Sequence, residues 1–221
     1  HNINVVQGWG MTETSPLATA NIKTKAMEKM SKDEMYKLQT KQGKPIYGVE
    51  LKIIDDEGKT LPEDGKAYGK LMIRGPWINK RYYKHDADAV DADGWFDTGD
   101  ISSIDPEGYM TIVDRAKDVI KSGGEWISSV DLENAAQGHP DVMQACVIGV
   151  AHPKWDERPV LLVVPANEKK DKDSIYAFLE DKIAKWWKPD DIVFVEELPI
   201  GATGKVLKIE LREQFKDHLM K

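Results

Sequence analysis

Residues 7–13, Gln-Gly-Trp-Gly-Met-Thr-Glu, combine groups that could hold a phosphorylated ligand together with its metal ion. The glycines allow a ligand to approach the backbone closely. Trp9 offers a flat face for stacking a ring, Thr12 can donate a hydrogen bond to a phosphate oxygen, and Glu13 can bind a hard cation. The same segment is equally typical of a loop around a buried tryptophan.

Two further segments carry charged groups beside glycines. Residues 94–100, Gly-Trp-Phe-Asp-Thr-Gly-Asp, place Asp100 just past a predicted tight turn, where its carboxylate could accept two hydrogen bonds from a ribose diol. The alternative is a capped β-turn. Residues 114–125 begin with Asp-Arg-Ala-Lys-Asp and end with Lys-Ser-Gly-Gly-Glu, and the alternative for them is a solvated linker between domains.

A fourth segment, residues 199–205, ends with Lys205 in the run Pro-Ile-Gly-Ala-Thr-Gly-Lys. A lysine on such a loop can reach a phosphate as a mobile point charge. A Gly-Lys pair by itself usually marks only a turn, so the order and spacing of all four segments decide its weight.

The elements that must position these segments are mostly strands in the first part of the chain. A short strand at residues 4–7 is predicted to continue a buried apolar run that starts at Ile3, and residues 23–41 are predicted to be helical or exposed. The other predicted strands, with a hairpin turn at residues 105–108, cover residues 49–55, 69–74, 95–96, 101–104 and 109–113.

Beyond Asp114 the pattern predicts an α+β unit. Residues 128–131, Ser-Ser-Val-Asp, resemble a capping box that opens a helix ending near residues 138–140. The later predicted elements are core strands at 142–150 and 160–164, a helix from 175 to 187 ended by Pro189, a strand at 192–195 and a helix at 208–216. We therefore predict two parts, residues 1–115 and 116–221, with a boundary near residues 114–118.

Composition narrows the classes of function. The 221 residues carry a net charge of −7, which disfavours nucleic-acid binding, and no apolar run is long enough to cross a membrane. Cys146 is the only cysteine, which excludes an intramolecular disulfide, suits a reducing cytoplasm and favours a buried hydrophobic role for its side chain. The five histidines do not cluster, so a structural zinc site is not expected, and the start at His1 indicates a piece of a longer protein.

The order and approximate spacing of the four segments resemble those of the adenylate-forming superfamily, which holds acyl-CoA synthetases, firefly luciferase and nonribosomal adenylation domains. The resemblance covers essentially the whole chain. Residues 121–129, Lys-Ser-Gly-Gly-Glu-Trp-Ile-Ser-Ser, and 186–189, Trp-Trp-Lys-Pro, are most similar to bacterial medium- and long-chain fatty-acyl-CoA synthetases, including methylmercaptopropionate ligases. The resemblance implies an α+β fold, in which the β-rich end of a large adenylating domain is followed by a small mobile α+β domain.

The resemblance implies a role for each site residue in the first part of the chain. These roles are the adenine pocket for Gly8, Trp9 and Gly10, the same nucleotide-binding segment for Met11, the α-phosphate for Thr12, Mg²⁺ for Glu13, the ribose hydroxyls for Asp100, and the ribose or phosphate for Arg115. The implied cofactors are ATP or AMP, Mg²⁺ and coenzyme A, with a carboxylic (fatty) acid as substrate.

For the second part, the resemblance implies that Lys205 stabilises negative charge when a carboxylate attacks the α-phosphate, an electrostatic role. Lys117 matches a hinge about which the small domain swings between adenylation and thioester formation. In the second pose Lys121, Gly123, Gly124 and Glu125 face the active site, with the glycines leaving room for a pantetheine arm. Four tryptophans, Trp77, Trp155, Trp186 and Trp187, are expected to have packing roles.

The family's Ser/Thr/Gly-rich phosphate loop does not occur in this sequence, so we expect the isolated chain to bind nucleotide weakly, to turn over little and to have a tendency to self-associate. Three alternatives stay open. They are an adenylation domain that loads a carrier protein, a luciferase-type oxidase, and a non-catalytic fragment that binds nucleotide or a partner.

Overall fold

The computed structural model describes residues 3, 5–202 and 204–220. The chain divides into two compact units, His1–Ala116 and Lys117–Lys221. Antiparallel sheets dominate the first unit, and the second combines one mixed sheet with three helices, so the predicted α+β class is confirmed. Among the described residues, no helix has both the length and the apolar character needed to cross a membrane.

In its described residues, the first unit holds two antiparallel sheets and one α-helix. The small sheet has the order β1-β2-β3, with β1 at Gly8–Gly10, β2 at Leu17–Ala20 and β3 at Lys44–Pro45. The larger sheet has the order β4-β5-β6-β7, with β4 at Glu50–Ile54, β5 at Gly69–Arg74, β6 at Phe96–Ile104 and β7 at Met110–Arg115. Helix α1 spans Lys32–Gln39, and its N-cap Ser31 forms a capping box with Glu34.

Alternating apolar residues of these strands build two buried clusters. One contains Ala18, Val49, Ile73 and Phe96, and the other contains Ile53, Leu71, Ile104 and Met110. The prediction of a buried strand at residues 4–7 is wrong. Ile3, Val5 and Val6 are exposed, and β1 begins only at Gly8, while Asn4 lies outside the described residues. Within the described part of this run, only the Gln7 carbonyl accepts a backbone hydrogen bond, from Asn21, so the run has too few partners to form a strand.

The hairpin turn between β6 and β7 is anchored by Asp105. One carboxylate oxygen accepts hydrogen bonds from the amides of Glu107 and Tyr109, and the other lies 2.5 Å from the Lys41 ammonium. Burial alone would raise the pKa of Asp105, but these hydrogen bonds and the Lys41 charge outweigh it and hold the pKa below its ordinary value. The carboxylate thereby joins the segment after α1 to the larger sheet.

Asp105→Asn is expected to lower the stability of the first unit at pH 7 by on the order of 1 kcal/mol. Because the folded pKa is depressed, the stabilisation is present above about pH 4 and is lost as the pH falls through the folded pKa. Wild type and variant should therefore converge in urea titrations carried from pH 7 to pH 3. Asp55→Asn is the control, since the Asp55 carboxylate accepts hydrogen bonds from the equivalent turn amides, those of Glu57 and Lys59. A stability gap for Asp105→Asn that stays constant with pH would refute the assignment.

The second unit is built on a five-stranded sheet of order β10-β11-β8-β9, with β12 parallel to β11. Its strands are β8 at Ile120–Ser122, β9 at Glu125–Ile127, β10 at Val142–His152, β11 at Asp156–Pro165 and β12 at Asp191–Phe194. Its helices are α2 at Ser129–Gln137, α3 at Lys172–Glu180 and α4 at Lys208–Phe215. The two predicted core strands, the predicted strand at 192–195 and the final helix are confirmed.

Side chains alternate between the two faces of β10 and β11. Val147, Leu161 and Val163 enter one core with residues of α2 and α3, and Cys146, Ile148 and Leu162 enter another core with Leu211 of α4. The predicted N-cap of α2 is confirmed, because the Ser128 hydroxyl accepts a hydrogen bond from the Asp131 amide at 3.1 Å. Cys146 is fully buried, as predicted, and burial followed by the Glu133 charge raises the pKa of its thiol to about 12.

The predicted helix from 175 to 187 is too long. Helix α3 ends at Glu180, and residues 185–187 form a separate 3-10 turn. The buried Arg158 guanidinium donates to the carbonyls of Trp186 and Lys188 at 3.1 and 3.0 Å. These tertiary hydrogen bonds draw that segment onto β11 and override a helical spacing of apolar residues that would otherwise favour continuation.

Candidate functional site

The first predicted segment folds into β1 followed by a 3-10 turn at Thr12–Thr14. The turn is held by Thr14, which is fully buried. Its hydroxyl accepts from the Met11 amide at 2.8 Å and donates to the Pro16 carbonyl at 2.6 Å. Sequence reasoning missed Thr14, although a hydroxyl two residues before a proline in a polar loop is a recognisable turn signal. Thr12 itself is exposed.

Trp9 is half-buried and packs against both hydrophobic clusters of the first unit. Its position in β1, opposite Thr19 of β2, fixes the indole over the apolar side chains. The alternative of a loop around a buried tryptophan therefore accounts for the packing of Trp9. Its role beside an adenine ring stays a prediction, as do the roles of Gly8, Gly10 and Met11.

The two glycines of β1 differ in what surrounds them. A Cβ atom on Gly10 would lie 1.8 Å from the Pro16 carbonyl oxygen and 2.9 Å from the Leu17 Cα. A Cβ atom on Gly8 would lie 3.3 Å from both the Leu17 side chain and the Thr19 carbonyl oxygen. Packing against its own loop therefore requires glycine at position 10, independently of any ligand.

Gly10→Ala is expected to destabilise the first unit by roughly 1–3 kcal/mol, because backbone atoms of Pro16 and Leu17 must move to admit the methyl group. Gly8→Ala is the matched control, because its nearest neighbours are more distant and one of them is a flexible side chain. Urea denaturation followed by far-UV circular dichroism measures both variants. Equal losses for the two would show that the close approach at Gly10 is not the cause.

Glu13 is half-buried and has partners that the sequence did not reveal. Its carboxylate oxygen Oε1 accepts a hydrogen bond from the Tyr82 hydroxyl at 2.8 Å, and its carbonyl accepts from the Asn79 amide at 2.8 Å. The hydrogen bond to Glu13, with burial and the Glu13 charge, raises the pKa of Tyr82. No cluster of three potential metal-ligand side chains occurs in the part of the chain that the structure describes. The role of Glu13 as a Mg²⁺ ligand stays a prediction.

Asp100 and Arg115 are predicted residues that the structure brings into direct contact. They face each other across β6 and β7, with Arg115 Nε 3.0 Å from Asp100 Oδ1. The Asp100 side chain is 6% exposed and that of Arg115 is 50% exposed. A buried carboxylate beside a half-exposed guanidinium can accept hydroxyl hydrogen bonds while it keeps its charge compensated.

The predicted position of Asp100 just past a tight turn is wrong. The turn closes at Gly94, whose amide donates to the Asp91 carbonyl at 3.0 Å, and Asp100 lies within β6. Gly99 has a φ of 70° inside this strand, and the pairing with β5 is irregular at the same place. An irregularity of this kind re-aims the next side chain, and Thr98 stabilises it by accepting from the Asp100 amide at 3.1 Å.

Residues 120–127 form a β-hairpin, so the alternative of a solvated linker is wrong for them. Its two turn residues, Gly123 and Gly124, have φ values of 57° and 86°, as a type I′ turn requires. The space over Gly123 is occupied, since a Cβ atom there would lie 2.8 Å from the Trp155 ring. Gly124 has no heavy atom within 4 Å of such a Cβ atom, among the residues described. The open space at this turn is therefore over Gly124, and the pantetheine role of the two glycines stays a prediction.

The other predicted residues of the second unit lie on the surface. Lys117, Lys121 and Glu125 are exposed, and the Lys121 ammonium lies 5.4 Å from the centre of the Trp126 ring. Trp155 and Trp186 meet edge to face at 5.0 Å, in keeping with their expected packing role. The participation of Trp155 beside Gly123 was not predicted, because 32 positions of sequence separate a turn from a partner that only the folded sheet brings near.

Lys205 is held at the surface by a closed loop. Gly201 donates its amide to the Lys205 carbonyl at 2.8 Å, and Leu207 donates to the Pro199 carbonyl at 2.8 Å. Gly204, with a φ of 77°, makes the sharp turn, while Thr203 lies outside the described residues. The Lys205 side chain is exposed, and no carboxylate among the described residues lies within ion-pair distance of its ammonium. The role of Lys205 beside a phosphate stays a prediction.

The sequence matches two family models and is similar to several known proteins. The AMP-binding enzyme family model matches residues 1–83, and the model of the AMP-binding enzyme C-terminal domain matches residues 131–205. The chain is 53% identical over 220 residues to 3-methylmercaptopropionyl-CoA ligase of Ruegeria lacuscaerulensis, and 50% identical over 222 residues to medium-chain-fatty-acid-CoA ligase of Ectopseudomonas oleovorans. These alignments cover 99% and 100% of this chain but only 41% of each relative.

The fold agrees with these relationships. ATP-bound MatB from Rhodopseudomonas palustris superposes with a TM-score of 0.79 at 30% identity, over 97% of this chain and 41% of that structure. Matching family models in both units, relatives at about half identity and a shared fold all agree. The chain belongs to the adenylate-forming, AMP-binding enzyme family.

Proposed function

We propose that the parent protein is an ATP-dependent acyl-CoA ligase and that this chain supplies its later part. In the first half-reaction a carboxylate oxygen attacks the α-phosphorus of ATP, giving an acyl-adenylate and pyrophosphate. In the second, the thiol of coenzyme A attacks the acyl carbon and AMP leaves. The observation that carries the proposal is the 53% identity to a CoA ligase, which extends through both units of the chain.

The two units are proposed to have different parts in this reaction. Residues 1–115 are the C-terminal part of the large AMP-binding domain, and residues 116–221 are the small C-terminal domain. Two facts support this division. The chain separates into compact units after Ala116, and the two family models match residues 1–83 and 131–205 separately.

The first unit is proposed to bind the nucleotide. The buried Asp100 carboxylate accepts hydrogen bonds from the ribose hydroxyls, and the Arg115 guanidinium compensates its charge from a position 3.0 Å away. Gly8, Trp9, Gly10 and Met11 line the adenine site, and Thr12 donates to the α-phosphate. Glu13, oriented by Tyr82, is the ligand for Mg²⁺, which when bound would neutralise phosphate charge.

The second unit is proposed to serve both half-reactions. Lys205 stabilises the charge that develops on the α-phosphate during adenylation. Rotation about Lys117 then presents Lys121, Gly124 and Glu125 for the thioester step, with Gly123 shaping the turn against Trp155. The substrate class is a fatty carboxylic acid and the acceptor is free coenzyme A, because the relatives at about 50% identity carry CoA ligase names. A cytoplasmic location suits the single buried cysteine.

The test measures pyrophosphate release and acyl-CoA formation by the complete parent protein with ATP, Mg²⁺ and carboxylates of graded chain length. Wild type should release pyrophosphate only with a carboxylate and should form thioester only when coenzyme A is added. Replacing ATP with 2′-deoxy- or 3′-deoxy-ATP should lower the rate at least about tenfold, because the hydrogen bonds to a charged Asp100 are lost. Asp100→Asn should shrink that discrimination between nucleotides.

Each arm of the experiment separates one alternative. Absence of carboxylate-dependent pyrophosphate release would favour the non-catalytic binding protein. Pyrophosphate release without acyl-CoA formation, together with acyl transfer to an added phosphopantetheinylated carrier protein, would favour the carrier-loading domain. If Asp100→Asn discriminates between ATP and the deoxy nucleotides as strongly as wild type does, Asp100 does not bind the ribose. That result would not contradict the proposed reaction.

A further inference from the structure

Helix α4 begins three residues after Lys205 and is attached to helix α2 by a partly buried ion pair. The Lys208 ammonium lies 2.7 Å from Glu133 Oε1 and donates to the Ser129 hydroxyl at 2.6 Å. The Lys208 and Glu133 side chains are only 14% and 17% exposed. Ion pairs with so little access to water cost desolvation energy, so their value is more often a defined geometry than added stability.

Glu133 also closes the free edge of the sheet. In the described part of the chain, β10 pairs only with β11, which leaves its other edge open. Glu133 Oε1 accepts a hydrogen bond from the Val147 amide of β10 at 2.8 Å. Helices α2 and α4 both pack against β10, so one carboxylate oxygen joins two helices and the strand between them. This arrangement fixes where α4 starts.

A second ion pair holds the middle of α4. Arg212 pairs through Nη2 with Asp118, whose side chain is 14% exposed. Asp118 directly follows Lys117, the first residue of the second unit and the proposed hinge. Between the two ion pairs, Leu211 anchors the helix in the core that contains Cys146. Helix α4 is thus attached at two points along its length, and one of them is the beginning of the unit.

Described residues on both sides of Lys205 are hydrogen-bonded close to the start of this helix. The Leu207 amide donates to the Pro199 carbonyl at 2.8 Å, and Val206 bridges Ile200. Helix α4 then begins at Lys208. A displacement of the helix start would therefore move the Lys205 backbone by a comparable distance.

We propose that Lys208, Glu133, Arg212 and Asp118 are positioning residues for adenylation, and that α4 acts as a rigid link between the hinge end of the second unit and Lys205. This inference rests on the proposed function. Displacing a catalytic group by about 1 Å can cost up to about 100-fold in rate, so loss of either ion pair affects the step that needs Lys205. The thioester step, assigned to the β8–β9 hairpin, does not depend on the link.

The experiment uses the complete parent protein and measures the two half-reactions separately. Adenylation is followed as pyrophosphate release, and the thioester step is followed from presynthesised acyl-adenylate with coenzyme A. Lys208→Met and Arg212→Met are each expected to slow adenylation roughly 10- to 100-fold and to leave the thioester step within about twofold of wild type. Glu133→Gln keeps an acceptor for the Val147 amide, so of the three variants it is expected to disturb folding least. It should show the same selective loss of adenylation rate.

A second comparison distinguishes positioning from general destabilisation. In a Lys205→Ala background, Lys208→Met should slow adenylation no further, because the group being positioned is already absent. Ile175→Val is the stability control, since it removes a methyl group from the core formed with α2 and α3, which does not include α4. It should leave both half-reactions unchanged.

The outcomes separate this inference from the proposed function. Three results would overturn the positioning role while the ligase activity stands. They are an equal loss in both half-reactions, a further loss in the Lys205→Ala background, and wild-type adenylation rates in Lys208→Met, Arg212→Met and Glu133→Gln alike. A Lys205→Ala variant with full adenylation activity would overturn this inference and the role of Lys205 while the ligase activity stands. A parent protein that never releases pyrophosphate would overturn the proposed function and this inference with it.

Discussion

Lys205→Ala is expected to lower the adenylation rate of the complete parent enzyme about 100- to 1,000-fold, the usual effect of removing one preorganised group that stabilises transition-state charge. The ammonium is exposed on a loop closed by hydrogen bonds, and among the residues described no carboxylate neutralises it. If Lys205 acts on a phosphate as proposed, its ammonium need not first leave an ion pair with any of the described carboxylates. The thioester step from presynthesised acyl-adenylate should change far less.

The matched control for this prediction is Lys216→Ala. Lys216 is an exposed lysine at the other end of α4, paired with Glu213 at 2.7 Å. Removing it changes the net charge of the second unit by the same amount but takes away no charge from the Lys205 loop. If both variants slow pyrophosphate release equally, the effect is one of overall charge. If Lys205→Ala keeps the wild-type rate, Lys205 has no part in adenylation.

The elements that were predicted well are those in which local pattern and tertiary packing agree. The apolar runs that became β10 and β11 are largely buried on both faces, so their composition alone fits strands of a buried core. The Ser128 cap and β5 were likewise predicted from local signals that the fold confirms. Where a distant group competes with a local preference, the prediction was wrong, as when Arg158 ended the helical run after Glu180.

The candidate site shows the same limit more sharply. Residue type and order were enough to single out Asp100 and Arg115, which the hairpin of β6 and β7 brings together. They could not reveal Tyr82, which hydrogen-bonds Glu13 across 69 positions of sequence. Nor could they separate Gly123 from Gly124, because the difference between them is the Trp155 ring packed over one and not the other. The fold decides which residues contact a functional residue. The types of those contacting residues do not reveal the contact in the sequence.

Arg158→Met is expected to destabilise the second unit by about 3–5 kcal/mol, a large share of the roughly 5–15 kcal/mol that holds a typical domain folded. The Arg158 side chain is 8% exposed and lies 2.7 Å from the Asp190 carboxylate. Its guanidinium also donates to the Ser122 hydroxyl and to the carbonyls of Trp186 and Lys188, and it stacks 4.6 Å from the Trp186 ring. Methionine fills similar volume but leaves these acceptors without their donor.

Unfolding of the second unit can be followed through Cys146, the chain's single cysteine, which is fully buried and whose pKa of about 12 keeps the thiol unreactive until the fold opens. Urea should expose it to a thiol reagent at a markedly lower concentration in Arg158→Met. Arg158→Lys should recover only part of the loss, because an ammonium cannot reproduce the planar fork. Arg74→Met provides the contrast. Arg74 makes a bidentate pair with Glu50, but both side chains are well exposed, at 39% and 58%, so a far smaller loss of stability is expected for the first unit. Comparable small losses at both arginines would mean that the buried network around Arg158 is no more stabilising than a surface pair, and that the apolar core alone holds residues 183–190 on the sheet.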